Sequence, residues 1–295
     1  MPETARQVMP FIVGSPRSGT TLLRFMLAAH SHLAIPPETG FPGHIAVDER
    51  LAGLGPAELL HIMTTFPPAA PAWRDFGMPE ETLRRALFNL SPFSVAEGIR
   101  SFYRLYAARH GKQRVGDKTP GHGQTMIAIE QLLPEAAFIH VIRDGRDSAL
   151  SLRDMWFAPS RDIAALAAHW RDNVTECRRQ GHAVQRYLEV RYEDLLSDTP
   201  GQLQRICEFI DLPFEAGMLA FYEEAPALLA EHQERKARDG AMIVSRERRQ
   251  AQQWRVTTPP DMSRVGLWRT GFTVEEQRAF SGVAGTLLED LGYST

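Results

Sequence analysis

Residues 10–30 leave this chain few folds to choose from. Phe11, Ile12 and Val13 form a short apolar run that reads as a buried strand. The next six residues, Gly14 to Gly19, cannot continue it. Leu22, Leu23, Phe25, Met26 and Leu27 then recur at helical spacing. Strand, glycine-bounded loop and helix make a phosphate cradle, because the loop N–H groups and the helix N-terminus converge on one anion. The glycine spacing is that of a P-loop, which predicts a parallel β-sheet flanked by α-helices. The plainer reading is a glycine turn between strand and helix.

The two positions after Gly19 are Thr20 and Thr21. The lysine that reaches the outer phosphates of a nucleoside triphosphate is therefore missing. A cation stands inside the loop instead, as Arg17. Arg17, Ser18, Gly19, Thr20 and Thr21 can hold a phosphate, with little support for the usual ATP or GTP chemistry.

A second strand–loop–helix junction lies at 137–152. Phe138 to Ile142 reads as a buried strand, Arg143 to Asp147 breaks it, and a helix starts at Ser148 and runs to about Met155. Arg143 at the strand end and Ser151 on the helix can clamp one phosphate together. The alternative is a surface network of Arg and Asp pairs, which would contribute little.

Between the two junctions the chain offers a carboxylate and a lysine. Leu33 to Ile35 reads as a second short strand, stopped by Pro36 and Pro37 and followed by Glu38. Open α/β sheets keep their ligands at such strand ends; the other reading of Glu38 is a capping or solvated loop glutamate. A strand ending at Val115 would bring Lys118 to the same edge. Pro120 and Gly121 then turn the chain into a helix over about 124–133. His122 is a competing general base, although nothing in the sequence supplies it a carboxylate to orient it.

The rest is helical or irregular. Helices are predicted at 56–65, 79–89 and 94–110, in a region, 40–113, whose aromatics can serve as core or as acceptor pocket. A long helix is predicted at 161–180, a strand from Tyr187 to Tyr192 and a helix at 199–210, with Thr199 and Pro200 at its start. The mixed charges of 223–256 read as a solvated helix or a mobile cover. Together with the stretch to residue 270 they make a candidate cover over the site, and a last helix carries Glu275 and Glu276 in its first turn.

With 295 residues and a net charge of −3, the chain suits one α/β domain, and nothing global points to nucleic acid or an anionic membrane. Cys177 and Cys207 have no CxxC partner and read as reduced core residues. No metal-ligand spacing stands out among the ten histidines. A first strand near residue 11 leaves no room for a leader or an anchor, so a cytoplasmic protein without a membrane partner is expected.

These residues resemble sulfotransferases that use 3′-phosphoadenosine 5′-phosphosulfate (PAPS). Gly14–Thr21 is similar to the family's 5′-phosphosulfate loop. Val141–Ser151 is similar to its 3′-phosphate motif, with Arg143 and Ser151 in the matching slots. Val190–Leu195 resembles a further core motif, whose tyrosine, Tyr192, is implied near the 3′-phosphate or adenosine. Gly266–Thr273 is similar to the C-terminal stretch that closes over the nucleotide, which brings in Arg264, Trp268 and Arg269. The pattern looks closer to the tyrosylprotein and bacterial branch than to the cytosolic aryl branch, which usually has Lys in the Arg17 slot and a histidine base.

The resemblance implies a PAPS donor, PAP as product and no required metal. Glu38 maps to the general base, with Arg17 and Lys118 beside the reacting group. The acceptor is a hydroxyl compound, left open between small alcohol, phenol, sugar and protein tyrosine. Two rivals stand beside this reading. A P-loop kinase or NTPase would need Mg²⁺ and a lysine where Thr20 stands. A nucleotide-binding module without chemistry would have no use for Glu38 and Lys118.

Overall fold

The computed structural model describes residues 7–294. In chain order its first half holds β1 (Met9–Gly14), α1 (Thr20–Ala28), β2 (Leu33–Ala34), α2 (Phe41–Val47), α3 (Pro56–Thr65), α4 (Glu80–Phe88), α5 (Val95–Arg109), β3 (Arg114–Val115), β4 (Asp117–Lys118), α6 (Met126–Leu132) and β5 (Ala136–Ile142). The second half holds α7 (Gly145–Leu152), α8 (Ile163–Gly181), β6 (Tyr187–Arg191), α9 (Tyr192–Ser197), α10 (Thr199–Phe209), α11 (Phe221–Leu229), β7 (Arg235–Lys236), β8 (Met242–Val244), α12 (Arg246–Ala251), α13 (Trp268–Gly271) and α14 (Val274–Asp290).

The central sheet is parallel, in the order β4-β1-β5-β6. Its two middle strands are buried on both faces, and apolar there apart from His140, because helices cover both. In β1, Phe11 and Val13 join the core shared with α2, α5 and α6, while Ile12 joins the core under α1, α10 and α11. Strands buried on both faces read as continuous apolar runs, which is why these two stood out in the sequence. The predicted α/β architecture with a single parallel central sheet is the one observed.

Four local readings change. Val115 ends β3, which pairs with β2, and Lys118 lies in a separate strand, β4, against β1. Gly116 lets the chain cross between them; a Cβ there would stand 2.9 Å from the Pro10 carbonyl oxygen. Helix α2 was not foreseen, and it starts where Gly40, at φ 67°, turns the chain. Helix α7 begins at Gly145 rather than Ser148, because the Asp144 side chain accepts the Arg146 N–H and caps it. The charged stretch after 223 is a helix, a hairpin and a second helix, and several of its charges are buried.

A third core, beside α7, α8 and α14, forms around Trp170, which packs against Gly145 and Phe280. This ring seats α8 on the helix that carries Ser151. Trp170→Ala should therefore cost about 3–5 kcal/mol of stability in chemical denaturation. A loss below about 1 kcal/mol would mean the site helix does not depend on that packing.

Candidate active site

β1 and β5 lie side by side, with Gly14 opposite Val141. Their carboxyl ends release two loops into the crevice where the strand order turns, the usual ligand site of an open α/β sheet. The first loop runs from Ser15 to Gly19. Arg17 has φ 67° and Gly19 φ 103°; a Cβ on Gly19 would run into the Tyr192 ring. Glycine is needed here both for the backbone turn and for the close approach.

The two loops are tied together by cations. Arg17 Nε donates to Ser151 Oγ at 3.0 Å. Arg143 donates to the Arg17 carbonyl oxygen at 3.2 Å and to that of Arg264 at 2.7 Å, and its guanidinium lies 4.5 Å from the centre of the Tyr192 ring. Burial first, then Arg143 and Arg264, push the Arg17 pKa down. Like charges held this close are a site that an anion stabilises. Ser18 Oγ, Arg143 Nε and Ser148 Oγ are buried without a partner among the described residues. Unpaired polar groups of this kind cost about 1–3 kcal/mol each, and a phosphate with its several acceptor oxygens fits them. Arg17, Gly19, Thr20, Thr21, Arg143, Ser151, Tyr192 and Arg264 line this crevice, while Ser18 is fully buried in the loop and does not line it.

Glu38 and Lys118 meet on the adjoining wall. Lys118 Nζ stands 2.5 Å from Glu38 Oε1 and 3.4 Å from Thr21 Oγ1. The lysine is buried, whereas half of the Glu38 side chain is open to the cleft. Asp117, fully buried, braces this wall: it accepts from Thr39 Oγ1 at 2.6 Å and from the Tyr103 hydroxyl at 2.8 Å. Burial pushes the Glu38 carboxyl up, but the charge and hydrogen bond of Lys118, with Arg235 and Arg249 behind, outweigh it and the net shift is downward. The same burial lowers the Lys118 pKa against the pull of Glu38.

His122 does have a carboxylate neighbour, contrary to the sequence reading: its Nε2 is 3.5 Å from Asp117 Oδ1. It is nevertheless buried behind the wall, beside Phe11 and under Gly43, and it does not line the cleft. Burial holds it neutral by lowering its pKa.

The cleft has a volume of about 830 Å³, near the top of the range for small-molecule sites. The loop 66–70, the aromatics Trp156 and Phe157, and the segment 249–261 complete it. Asp147 anchors the last stretch, accepting the N–H groups of Gly266 and Trp268 at 2.7 and 2.9 Å. Arg264 and Leu267 line the cleft, but Trp268 and Arg269 do not. Trp268 lies over the Arg146 guanidinium at 3.7 Å, and Arg269 faces a separate small groove beside Arg191 and Tyr293. The correction follows from the short helix α13, which turns both side chains away from the sheet edge.

Part of the charge in 231–249 is paired and withdrawn from solvent, while Lys236, Arg238, Asp239, Arg246, Glu247 and Arg248 stay exposed. Glu231 pairs with Arg24 at 3.1 Å, and Asp75 takes Arg235 and Arg249 at 2.6 and 2.8 Å. His232, Arg235 and Arg249 line the cleft and were missed in the sequence, because their partners lie far away in the chain. Among the described residues no group of three or more His, Cys, Asp or Glu could hold a metal ion. No helix among them is long and apolar enough to cross a membrane.

A family model described as the sulfotransferase family matches residues 11–216. Protein-tyrosine sulfotransferase A of Caenorhabditis elegans is 26% identical over 71% of this chain, a stretch that spans about half, 51%, of that relative. Protein-tyrosine sulfotransferase 1 of Danio rerio is 23% identical over 96% of this chain and 71% of its own length. The solved sulfotransferase domain from the curacin biosynthetic pathway superposes with a TM-score of 0.60, covering 98% of this chain and 99% of that one at 20% identity. At that identity the likeness speaks for the fold.

Proposed function

The chain belongs to the sulfotransferase family, and from that premise we propose that it moves a sulfuryl group from PAPS to the hydroxyl of an acceptor, with Glu38 as general base. The observation that carries the reading is the Glu38–Lys118 pair, 2.5 Å apart, in the same cleft as the Arg17 loop and Arg143. Bound there, PAPS would supply the sulfuryl group and a bisphosphate leaving group. Ser18, Arg17 and the N-terminus of α1, which has no side-chain cap, suit its 5′ end. Arg143, Ser151 and Tyr192 suit its 3′ end.

Arg17 and Lys118 are positioned to neutralise charge that develops on a departing oxygen, the part Mg²⁺ takes in kinases. Glu38 accepts the proton of the acceptor hydroxyl, a contribution of about 10²–10⁴-fold in rate. Its pairing with Lys118 gives this base a dependence on the donor. An anion that draws Lys118 toward Thr21 takes from Glu38 the partner that lowers its pKa. The carboxylate then gains proton affinity when the acceptor must lose its proton. The names of the two relatives favour a phenolic hydroxyl.

The test is a pair of measurements: titration with PAP and with Mg–ATP, and transfer of labelled sulfate from PAPS to phenols and tyrosine peptides. PAP is expected to bind without metal and more tightly than Mg–ATP, and label is expected on the phenolic oxygen. Tighter Mg–ATP binding with no sulfate transfer would return the chain to the kinase reading.

A further inference from the structure

The acceptor side of the cleft holds cations that sulfuryl transfer does not use. Arg235 and Arg249 reach it from beyond the family-matched stretch, which ends at residue 216. Asp75, 1% exposed, lies between them. It accepts Arg235 Nη2 at 2.6 Å and Arg249 Nη1 and Nη2 at 2.9 and 2.8 Å. Two guanidiniums thus share one carboxylate, and one positive charge is left over.

Each guanidinium also keeps donors in reserve. Of the five on an arginine, among the described residues Arg235 spends its others only on the Ala70 carbonyl oxygen at 3.3 Å, and Arg249 only on that of Gln233. His232, 8% exposed, lines the same cleft with its Nδ1 buried and without a partner among the described residues. Burial, then Arg24, Arg249, Lys118 and Arg235, push its pKa down to about 2, so the imidazole is neutral. The loop 66–70 connects this group to the base. The Phe66 ring packs on Gly40, two residues after Glu38, where a Cβ would meet it at 2.6 Å. Ala70, four residues on from Phe66, holds Arg235.

We propose that Arg235, Arg249 and His232 form an anchoring subsite for the acceptor, which is a small hydroxy acid with its hydroxyl at Glu38 and its carboxylate at the two arginines. The inference rests on the sulfuryl-transfer reading and names the acceptor class within it. A carboxylate matches the single uncompensated charge, whereas a phosphate dianion would overshoot it. Its two oxygens also suit the planar donor face of a guanidinium. The subsite is buried, with the Arg235 and Arg249 side chains only 10% and 13% exposed, so the anion ends inside the cleft. That geometry favours a short acceptor over a polypeptide that must pass through.

The experiment compares sulfation of 4-hydroxyphenyl carboxylic acids of increasing spacer length with sulfation of their primary amides, using PAPS and the full chain. At the best spacer the acid should exceed the amide by about 10- to 100-fold in kcat/KM, mostly through KM. In R249Q and in R235Q that ratio should fall to within about threefold, with PAP affinity retained as the check on folding. The wild-type ratio decides by itself if a variant fails to fold. Sulfation of acids and amides at equal rates at every spacer overturns the subsite and leaves sulfuryl transfer standing. A glutamate-flanked tyrosine peptide outpacing every small acid overturns the small-acceptor class. No transfer to any phenol overturns the parent reading, and the subsite with it.

Discussion

Glu38→Gln is expected to lower turnover by about 10²–10⁴-fold and to leave PAP affinity equal or slightly higher. The two effects separate because the carboxylate carries two jobs. As a base it acts only when an acceptor is present. As a partner of Lys118 it competes with any anion for the ammonium 2.5 Å away. The amide keeps the shape and loses both the proton affinity and the competing charge. Single-turnover transfer from PAPS and calorimetric titration of PAP measure the two jobs independently. Turnover that survives the substitution, or an equal fall in both quantities, would remove Glu38 from the base role.

The same pair sets a direction for pH. Without donor, Lys118 holds the Glu38 carboxyl below its ordinary value, so the carboxylate survives to lower pH than an unpaired glutamate would. With the lysine drawn to the donor, the carboxyl titrates higher. The acidic limb of kcat should therefore lie at higher pH than that of kcat/KM for the donor, since the first reports the bound complex and the second the free enzyme. Coincident limbs would mean that the lysine stays with the glutamate throughout.

What could be read in the sequence was whatever had a local cause. Gly14 and Gly19, Arg143 and Ser151 sit in short segments whose geometry follows from neighbouring residues, and the sheet brings those segments together. Glu38 and Lys118 are eighty positions apart; their meeting could be argued from strand ends, although Lys118 lies in β4 itself and β2, ahead of Glu38, pairs with β3 outside the central sheet. Helix α2 escaped because a glycine and a proline at its start look like a loop, and only the φ of 67° at Gly40 shows the turn into helix. Arg235 and Arg249 escaped for a different reason. Their partner Asp75 lies some 160 and 174 positions upstream, and a mixed-sign run with distant partners has the same local pattern as a solvated one. Trp268 failed through orientation: the motif residue is present, but α13 turns it onto Arg146.

Arg143→Ala is the second large effect, expected on affinity and selective for one end of the nucleotide. Arg143 is 7% exposed and has its Nε unpaired. Removing a buried cation from its anion costs about 2–5 kcal/mol, or roughly 30- to several-thousand-fold in Kd. PAP should lose that much. Adenosine 5′-phosphosulfate, which lacks the 3′-phosphate, should lose only what comes from disturbing the loop that Arg143 braces through the Arg17 and Arg264 carbonyl oxygens. Ser151→Ala provides the scale below it. That hydroxyl already accepts from Arg17 Nε at 3.0 Å and has one O–H left to donate, so about tenfold or less is expected against PAP. The comparison between ligands matters more than either number, because a collapsed loop would weaken both alike. Equal weakening of PAP and adenosine 5′-phosphosulfate in calorimetry would mean that Arg143 holds the two loops together and does not read the 3′-phosphate. A gap of tenfold or more between them, on the order of 1.4 kcal/mol, would assign the arginine to that phosphate, and with it the way the nucleotide lies across the sheet edge.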